Sequence, residues 1–421
     1  MKNEKTQKLV KFALYTAVFS WALLAYAKIG EFLMQGILFA RILAGRPYVS
    51  DFANFYNAAT LAAACLQKSV NVYDISVQNE SLKALIAPVV PEQPFYMQYP
   101  PCLFVFVFPL SLFTIQWAWF LWVLVGVIAG GIGLYLLCRK LLNQSRNTAL
   151  LSVALAYSSY PAWLSVELGQ TSLYLFVGTA FMLYFLQEKK AFKAGLTSAL
   201  LMVKLQYTPV LLLFGLICGR LPFFAGSFCA FVVLTILSAM LLGLHNLTSF
   251  PQAILSNETG QAVSGVSSFL MQNLRGELVL LMQSDGKTVL YIVIGFFVLA
   301  LAATAYLAQE AYKNNSLKVF NPAAALTIII ALISSPHTHM QDYILFSIAA
   351  FFLLQFLEEQ KGNSAAATLS RSIIYASLPL SWLLFILQDF MAMLKIQSYF
   401  ILSLMLLVAI LSMKPFQKRE P

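Results

Sequence analysis

Charged residues are scarce in this chain of 421 residues: only 10% are Asp, Glu, Lys or Arg, whereas 60% are apolar. Soluble domains carry about 25% charged residues and about 45–50% apolar ones. The shortage of charge excludes a soluble globular protein, a disordered chain, a coiled coil and a collagen-like fibre. Because only a lipid bilayer offers enough apolar contact, the composition predicts an all-α polytopic membrane protein.

Cysteine and histidine are also rare, with five and three residues respectively. The cysteines are scattered and odd in number, and none has the paired spacing of metal ligands, which excludes a disulfide framework. The sequence contains no Walker loop, dinucleotide-binding glycine motif, nucleophile elbow or CxxC pair. It therefore lacks the common motifs of nucleotide-binding, acyl-transfer and thiol-redox enzymes.

Long apolar runs predict about twelve membrane-spanning helices, since each needs about 20 residues. The runs cover residues 12–33, 117–138, 148–165, 171–187, 191–203, 207–219, 222–244, 288–309, 322–335, 341–357, 371–388 and 396–413. The two short runs on either side of Lys204 are typical of a broken or re-entrant unit. The run Cys102–Phe113 is too short to span and predicts a helix at the membrane interface. The first run is interpreted as an uncleaved span and not as a signal peptide.

The distribution of positive charge predicts the orientation. With a cytoplasmic N-terminus, the short inner segments hold about two thirds of the Lys and Arg residues, as the positive-inside rule requires. We therefore expect a multi-pass protein of the plasma (inner) membrane with both termini in the cytoplasm. The outer polar segments are then 41–101, 166–170, 245–287 and 334–342, where any active site should lie. Loop lysines account for the net charge of +10, so no nucleic-acid partner is expected.

Asp51 stands at the start of a predicted amphipathic helix. Apolar side chains that recur at helical spacing on one face predict this helix; they are Phe52, Phe55, Tyr56, Ala59, Ala63 and Leu66. The carboxylate has two interpretations. It is either a helix N-cap, worth about 1 kcal/mol, or a catalytic base held at the membrane surface.

Lys204 interrupts an apolar segment, a position that costs about 2.5–3.5 kcal/mol at the centre of a spanning helix. Its side chain either snorkels to the interface or binds an anion such as a lipid phosphate, and Gln206 follows two residues later. A short turn, Glu167-Leu168-Gly169-Gln170, lies between two predicted spans. Its polar side chains either bind a polar substrate at the lipid–water boundary or cap helix ends.

The other outer segments hold further candidates. His337 lies in the segment Ser335–Tyr343, which has three interpretations. It is a zinc site, although a third strong ligand is missing; its histidine binds phosphate; or its polar residues cap a helix. Arg275 either offers a bidentate fork to phosphate or is a solvated loop residue. Tyr99 precedes a proline pair that fixes the backbone direction, and its ring could line a pocket.

The order of these motifs resembles glycosyltransferase family 87. The resemblance covers about residues 51–343 and rests on seven motifs that follow one another in the family's order. They are Asp51-Phe52 with Phe55-Tyr56-Asn57-Ala58-Ala59, Val72-Tyr73-Asp74, Phe95 and Tyr99-Pro100-Pro101 with Pro109-Leu110, Gly169-Gln170, Lys204 with Gln206, Asn273-Leu274-Arg275-Gly276, and Ser335-Pro336-His337. The sequence departs from the pattern at Leu205, where many members have proline.

The resemblance implies the membrane glycosyltransferase C-type fold and a hexosyltransferase activity. Members transfer a hexose, often mannose, from a polyprenyl-phosphate sugar to a glycolipid or polysaccharide acceptor on the outer face. Asp51 matches the family's catalytic aspartate, and Lys204 and His337 match positions near the donor phosphate. Gln170, Gln206, Arg275 and Tyr99 are the further expected donor-binding residues. A single carboxylate fits inversion, and neither a metal ion nor a cofactor is expected.

Two other functions share some of these features. A secondary transporter also has many spans and broken helices, although this chain shows no internal repeat and its ionisable clusters lie at one surface. A lipid-linked polymer ligase or polymerase would be a neighbouring enzyme class with a different donor. We expect a single integral membrane domain over 1–421, to which the outer loops 41–101 and 245–287 contribute the active site. A central pathway open to both sides would instead favour the transporter.

Overall fold

The computed structural model describes residues 22–23, 25–27, 30–31, 50–89, 97–258, 268–359, 364–413 and 415–416. Most of the predicted first span and the motif residue Phe95 lie outside the described residues. Within these ranges the fold is entirely helical, as predicted, without a β-strand. The α-helices are α1 (Phe52–Cys65), α2 (Ile75–Ile86), α3 (Pro101–Val107), α4 (Ile115–Lys140), α5 (Arg146–Tyr157), α6 (Tyr160–Glu167), α7 (Ser172–Gln187), α8 (Ala191–Thr197), α9 (Thr208–Leu242), α10 (Leu244–Glu258), α11 (Leu274–Met282), α12 (Lys287–Asn314), α13 (Leu317–Ser334), α14 (Phe346–Glu359), α15 (Ala365–Ile386), α16 (Gln388–Met393) and α17 (Ser398–Ser412). Short 3₁₀ helices cover Phe108–Leu112, Ser198–Lys204, Ser268–Leu270 and Met340–Leu345.

The expected count of twelve spans is not confirmed. By length and composition, six described helices can cross a membrane, or seven if the pair α5 and α6, bent by 65°, forms one span. Helices α7 and α17 coincide with predicted spans but have only 16 and 15 residues. The two runs predicted at 207–219 and 222–244 correspond to two helical segments of α9 that meet at a kink at Arg220, where the backbone is not helical (φ 50°, ψ −143°). The division between the two predicted runs falls at this kink.

The predicted short helix at Cys102–Phe113 forms as two pieces. Helix α3 begins with Pro101 at its first turn, where a missing N–H costs nothing. The chain then tightens into the 3₁₀ helix Phe108–Leu112, which contains Pro109. Together they are too short to cross a bilayer, as expected from the sequence.

Internal contacts divide the chain into two compact units, each described here by itself. Unit 1 comprises residues 1–32, 132–164 and 268–421, and unit 2 comprises residues 33–131 and 165–267. In unit 1, α13 is the most enclosed of the helices long enough to span a membrane. Of its residues 83% are buried, and it packs against α12, α14 and α17. The single domain over 1–421 stays a prediction.

Helix α1 forms the buried centre of unit 2. Ten of its 14 residues are buried, including Asn54 and Asn57, because the helix packs against α2, α3, α9 and the 3₁₀ helix Phe108–Leu112. The prediction of one apolar face ending at Leu66 is therefore wrong, since Leu66 is 60% exposed while the polar asparagines are enclosed. Asn57 Nδ2 donates to the Gln78 carbonyl (3.0 Å), which offsets part of the cost of its burial.

Candidate active site

The Asp51 carboxylate does not cap α1. Asp51 occupies the N-cap position, but its side chain makes no capping hydrogen bond. Ser50 Oγ instead accepts a hydrogen bond from the Phe52 N–H (3.3 Å). The Asp51 carboxylate points to another part of unit 2, where Oδ2 accepts a hydrogen bond from Gln170 Nε2 at 2.5 Å. Because the capping hydrogen bond is absent, the capping interpretation of Asp51 is wrong, and its carboxylate remains a candidate general base.

Gln170 is held in place by a tight turn. Gly169 has φ +61°, and a Cβ there would stand 2.9 Å from Phe52 Cβ, so only glycine fits against the start of α1. Trp122 Nε1 donates to the Gly169 carbonyl (2.9 Å), and the Gln170 N–H donates to the Ser165 carbonyl (2.9 Å). Because these two hydrogen bonds fix the backbone on both sides of the Gly169–Gln170 bond, they also position the side chain of Gln170 that contacts Asp51.

Lys204 ends the 3₁₀ helix Ser198–Lys204 and is only 4% exposed. A snorkelling lysine would extend to the surface, whereas this side chain is enclosed, and its charge attracts the Asp51 carboxylate. In this part of the chain α8 gives way to a 3₁₀ helix that ends at Lys204, and α9 begins at Thr208; the broken or re-entrant membrane unit stays a prediction. Leu205 has φ −55°, within the range of a proline ring, so the backbone at this position is compatible with the proline that many members have.

The pKa values of two carboxyl groups in unit 2 move in opposite directions. Burial raises the pKa of Asp51, while the Gln170 hydrogen bond and the charge of Lys204 oppose the rise. The pKa of Asp74 is lowered, chiefly by the Ser76 hydroxyl and also by the backbone N–H groups that it caps at the start of α2. Since a general base works best with a pKa nearer to neutrality, Asp51 is the better candidate of the two.

Tyr99 and Gln206 belong to the same unit. Tyr99 is half-buried, its ring stands edge-on to Phe55 at 5.3 Å between centroids, and its carbonyl accepts from the Tyr73 hydroxyl (2.9 Å). Gln206 is half-buried in the turn between Lys204 and α9. These contacts position the backbone at Tyr99 but give neither side chain a defined role.

Arg275 and His337 lie together in unit 1. Arg275 binds Asp285 through two parallel hydrogen bonds, Nε to Oδ1 (3.1 Å) and Nη2 to Oδ2 (2.9 Å), and its Nη1 lies 3.3 Å from His337 Nε2. Arginine can only donate, so the histidine nitrogen accepts and the ring proton is placed on Nδ1. Arg275 is therefore not a solvated loop residue, because it is buried and pre-oriented.

The backbone around this cluster is tied to two other segments. Asn273 caps α11 by accepting from the Gly276 N–H (2.9 Å), and its Nδ2 donates to the Ser335 carbonyl (2.6 Å). The Gln272 N–H donates to the Thr338 carbonyl (2.7 Å). These bonds fix the start of α11 against the segment that carries His337.

The capping interpretation of Ser335–Tyr343 holds for some of its residues. Asp342 Oδ2 accepts from the His339 N–H (3.1 Å) at the start of the 3₁₀ helix Met340–Leu345, and Thr338 Oγ1 donates to the Leu332 carbonyl (2.8 Å). The segment thus uses two polar side chains for its own backbone while His337 contacts Arg275. Within the described ranges, no three His, Cys, Asp or Glu side chains are grouped to hold a metal ion.

Two acidic residues of this region were missed by sequence reasoning. Asp285 belongs to the predicted loop 245–287, and nothing in its spacing shows that it pairs with Arg275. Glu277 is buried and accepts from the Gln397 N–H (2.6 Å). Burial raises the pKa of Glu277, and that hydrogen bond opposes the rise. Glu277 and Gln397 are 120 positions apart and meet only through the fold. Arg275 and Asp285, in contrast, are ten positions apart, in α11 and in the turn that follows it.

The family comparison agrees with the order of these residues. The model of glycosyltransferase family 87 matches residues 96–336, more than half of the chain. The chain belongs to glycosyltransferase family 87. Together with the apolar helices, this membership makes it a membrane glycosyltransferase, and it does not support the transporter and polymerase alternatives. Searches of curated proteins and of solved structures gave no significant match.

The family match includes five of the seven predicted site residues. It contains Tyr99, Gln170, Lys204, Gln206 and Arg275, whereas Asp51 precedes it and His337 follows its last residue. Geometry brings Asp51 to Gln170 and Lys204, and separately brings Arg275 to His337. The chemical role of each residue stays a prediction.

Proposed function

We propose that this protein transfers a hexose, with mannose as the first candidate, from a polyprenyl-phosphate donor to a hydroxyl group of a glycolipid or glycan acceptor. The observation that carries the proposal is the Asp51 carboxylate, which is held by Gln170, attracted by buried Lys204 and free of a capping role. A membrane-embedded protein suits a donor whose lipid tail stays in the bilayer.

The proposed reaction is a single displacement at the anomeric carbon of the donor sugar. The acceptor oxygen forms a bond to that carbon while the bond to the phosphate oxygen breaks, and the electron pair leaves with the prenyl phosphate. Asp51 takes the proton of the acceptor hydroxyl as general base. One attack without a covalent sugar–enzyme intermediate inverts the anomeric configuration.

The leaving phosphate gains negative charge as the bond breaks, and positively charged side chains that are already in place stabilise it. We assign this role to Lys204, with Gln206 and Tyr99 as neighbouring donor-binding residues. Arg275 and His337 are also proposed to contact phosphate. The reason is that their cluster contains guanidinium N–H groups and an imidazole N–H, which can donate hydrogen bonds to phosphate oxygens. The proposal requires no metal ion or cofactor, since side chains supply the compensating charge.

The donor class is tested by incubating membranes that contain the protein with radiolabelled polyprenyl-phosphate hexoses and a panel of octyl hexoside acceptors. We expect a labelled product with inverted anomeric configuration, formed fastest from one polyprenyl-phosphate hexose. Membranes without the protein and parallel reactions with nucleotide sugars are the controls. Transfer from nucleotide sugars alone, or no transfer from any donor, would contradict the proposal.

We further propose that the protein lies in the plasma membrane with both termini in the cytoplasm and the Asp51 side of the protein outside. The charge bias of the short loops supports this orientation, as does a donor class whose sugar is used on the outer face.

Cysteine labelling of intact cells tests the orientation. Ser284→Cys places a thiol at an exposed position in the loop 245–287, next to Asp285, which is itself unsuitable because it pairs with Arg275. We expect a membrane-impermeant maleimide to label Ser284→Cys in intact cells. The matched variant Lys313→Cys, exposed in a segment predicted to be cytoplasmic, should react only after permeabilisation. The reverse pattern would overturn the orientation.

A further inference from the structure

The two polar atoms of the Gln170 amide have different surroundings. Nε2 donates to Asp51, whereas Oε1 is buried and has no hydrogen-bond partner among the described residues. The residue is only 4% exposed, so bulk solvent does not satisfy this oxygen. A buried acceptor without a donor is unfavourable and calls for an explanation at the site where it occurs.

Rotating the amide does not remove the unpaired acceptor. An ionised carboxylate can only accept hydrogen bonds, so the amide nitrogen must face Asp51 and the oxygen must point elsewhere. Because Nε2 and Oε1 share one carbon, the unpaired oxygen stands beside the carboxylate. The turn at Gly169 and the Trp122 hydrogen bond hold the backbone that carries this amide. The unpaired acceptor therefore belongs to the same amide group that donates to the Asp51 carboxylate.

We propose that Asp51 and Gln170 together bind two neighbouring hydroxyl groups of the acceptor, a vicinal diol of the kind that sugars and cyclitols carry. The inference rests on the proposed function. Asp51 accepts the proton of the hydroxyl that attacks, and Gln170 Oε1 accepts a hydrogen bond from the hydroxyl on the next carbon. An isolated alcohol, such as a serine side chain or a prenyl alcohol, fills only one of the two positions.

The diol belongs to the acceptor and not to the donor sugar. The base must contact the attacking hydroxyl, which is part of the acceptor, and Gln170 Oε1 lies next to that base. A second hydrogen bond from the same molecule fixes the rotation of the attacking hydroxyl, and orientation is a large part of catalytic rate. Gln170 thus acts both as a positioning residue for Asp51 and as a specificity residue for the acceptor.

The test compares wild-type protein and Gln170→Met on an octyl hexoside that the wild type glycosylates and on its monodeoxy analogues. In the wild type, removing the hydroxyl next to the attacking one should lower kcat/KM about tenfold, since one hydrogen bond is lost. In Gln170→Met the intact acceptor should react about tenfold more slowly, and the same deoxy change should then have less than a twofold effect. Gln67→Met, at an exposed glutamine just after α1, is the matched control and should behave as wild type.

The pH dependence separates positioning from a merely structural role. The Gln170 hydrogen bond lowers the pKa of Asp51, so its loss raises that pKa. The acidic limb of the rate profile of Gln170→Met should therefore move to higher pH, and the acceptor series is compared on the plateau above it.

Several results would overturn the inference. One is an equal loss of kcat/KM, on removal of the neighbouring hydroxyl, in wild type and Gln170→Met. Another is a wild type whose kcat/KM does not change when that hydroxyl is removed. This second result contradicts the inference even if the variant fails to fold. A third is sensitivity to a deoxy donor in place of a deoxy acceptor. Product analysis adds a fourth: a new linkage on a carbon whose neighbours carry no hydroxyl contradicts the diol but leaves the proposed transferase intact. Absence of any transfer overturns both.

Discussion

Asp51→Asn should slow sugar transfer about 10²–10⁴-fold, the usual loss when a general base is removed. The asparagine side chain has nearly the same size as aspartate but cannot take the proton of the acceptor hydroxyl. Donor affinity should change little, since the donor phosphate is assigned to other residues. Transfer rates and donor binding of the purified protein in detergent measure the two effects separately.

We expect this substitution to change the stability of the fold only slightly. The Asp51 side chain makes no capping bond to α1, and the asparagine oxygen can still accept the hydrogen bond from Gln170 Nε2. Thermal unfolding of the variant in detergent checks that the protein is still folded. The acidic limb that Asp51 imposes on the wild-type rate profile should also disappear, which a loss of stability would not produce.

Asp74→Asn provides the matched control. It makes the same change in the same unit, at an exposed carboxylate that caps α2, and asparagine is an equally good cap. We expect wild-type transfer from Asp74→Asn. If Asp51→Asn also retained activity within a few-fold of wild type, Asp51 could not be the base and the proposed mechanism would fail.

Lys204→Met should reduce turnover about 10²–10³-fold, by analogy with the removal of one preorganised group that stabilises a developing negative charge. The methionine keeps an apolar stem of similar length in a buried position, but the charge next to Asp51 is lost. Because that charge lowers the pKa of Asp51, its loss should also move the acidic limb of the rate profile to higher pH. Steady-state rates across pH measure both changes.

Two companion variants separate charge from packing at this position. Lys204→Arg keeps the positive charge and should retain more activity than Lys204→Met. Lys83→Met makes the same change at an exposed lysine of α2 and should leave transfer unchanged. A fully active Lys204→Met would remove Lys204 from the phosphate site.

Properties that depend on composition and on order along the chain were available from the sequence. Scarce charge and long apolar runs predicted an all-helical membrane protein, since every backbone group must be satisfied within the bilayer. The order of seven short motifs predicted the family that the profile match then showed. The division between two apolar runs also marked the kink at Arg220 in α9, whereas the count of twelve spans is not confirmed by the length and composition of the described helices.

Only the tertiary structure decided what the candidate side chains contact. Asp51 and Gln170 are 119 positions apart, and no local pattern shows that the carboxylate meets an amide and leaves its helix uncapped. The contact of Arg275 with His337, 62 positions away, was equally hidden. Helix propensity and hydrophobic period are set by near neighbours, whereas hydrogen-bond partners and burial depend on which distant segments pack together. The sequence therefore supplied candidate residues, and packing determined which of their atoms are paired and which are not.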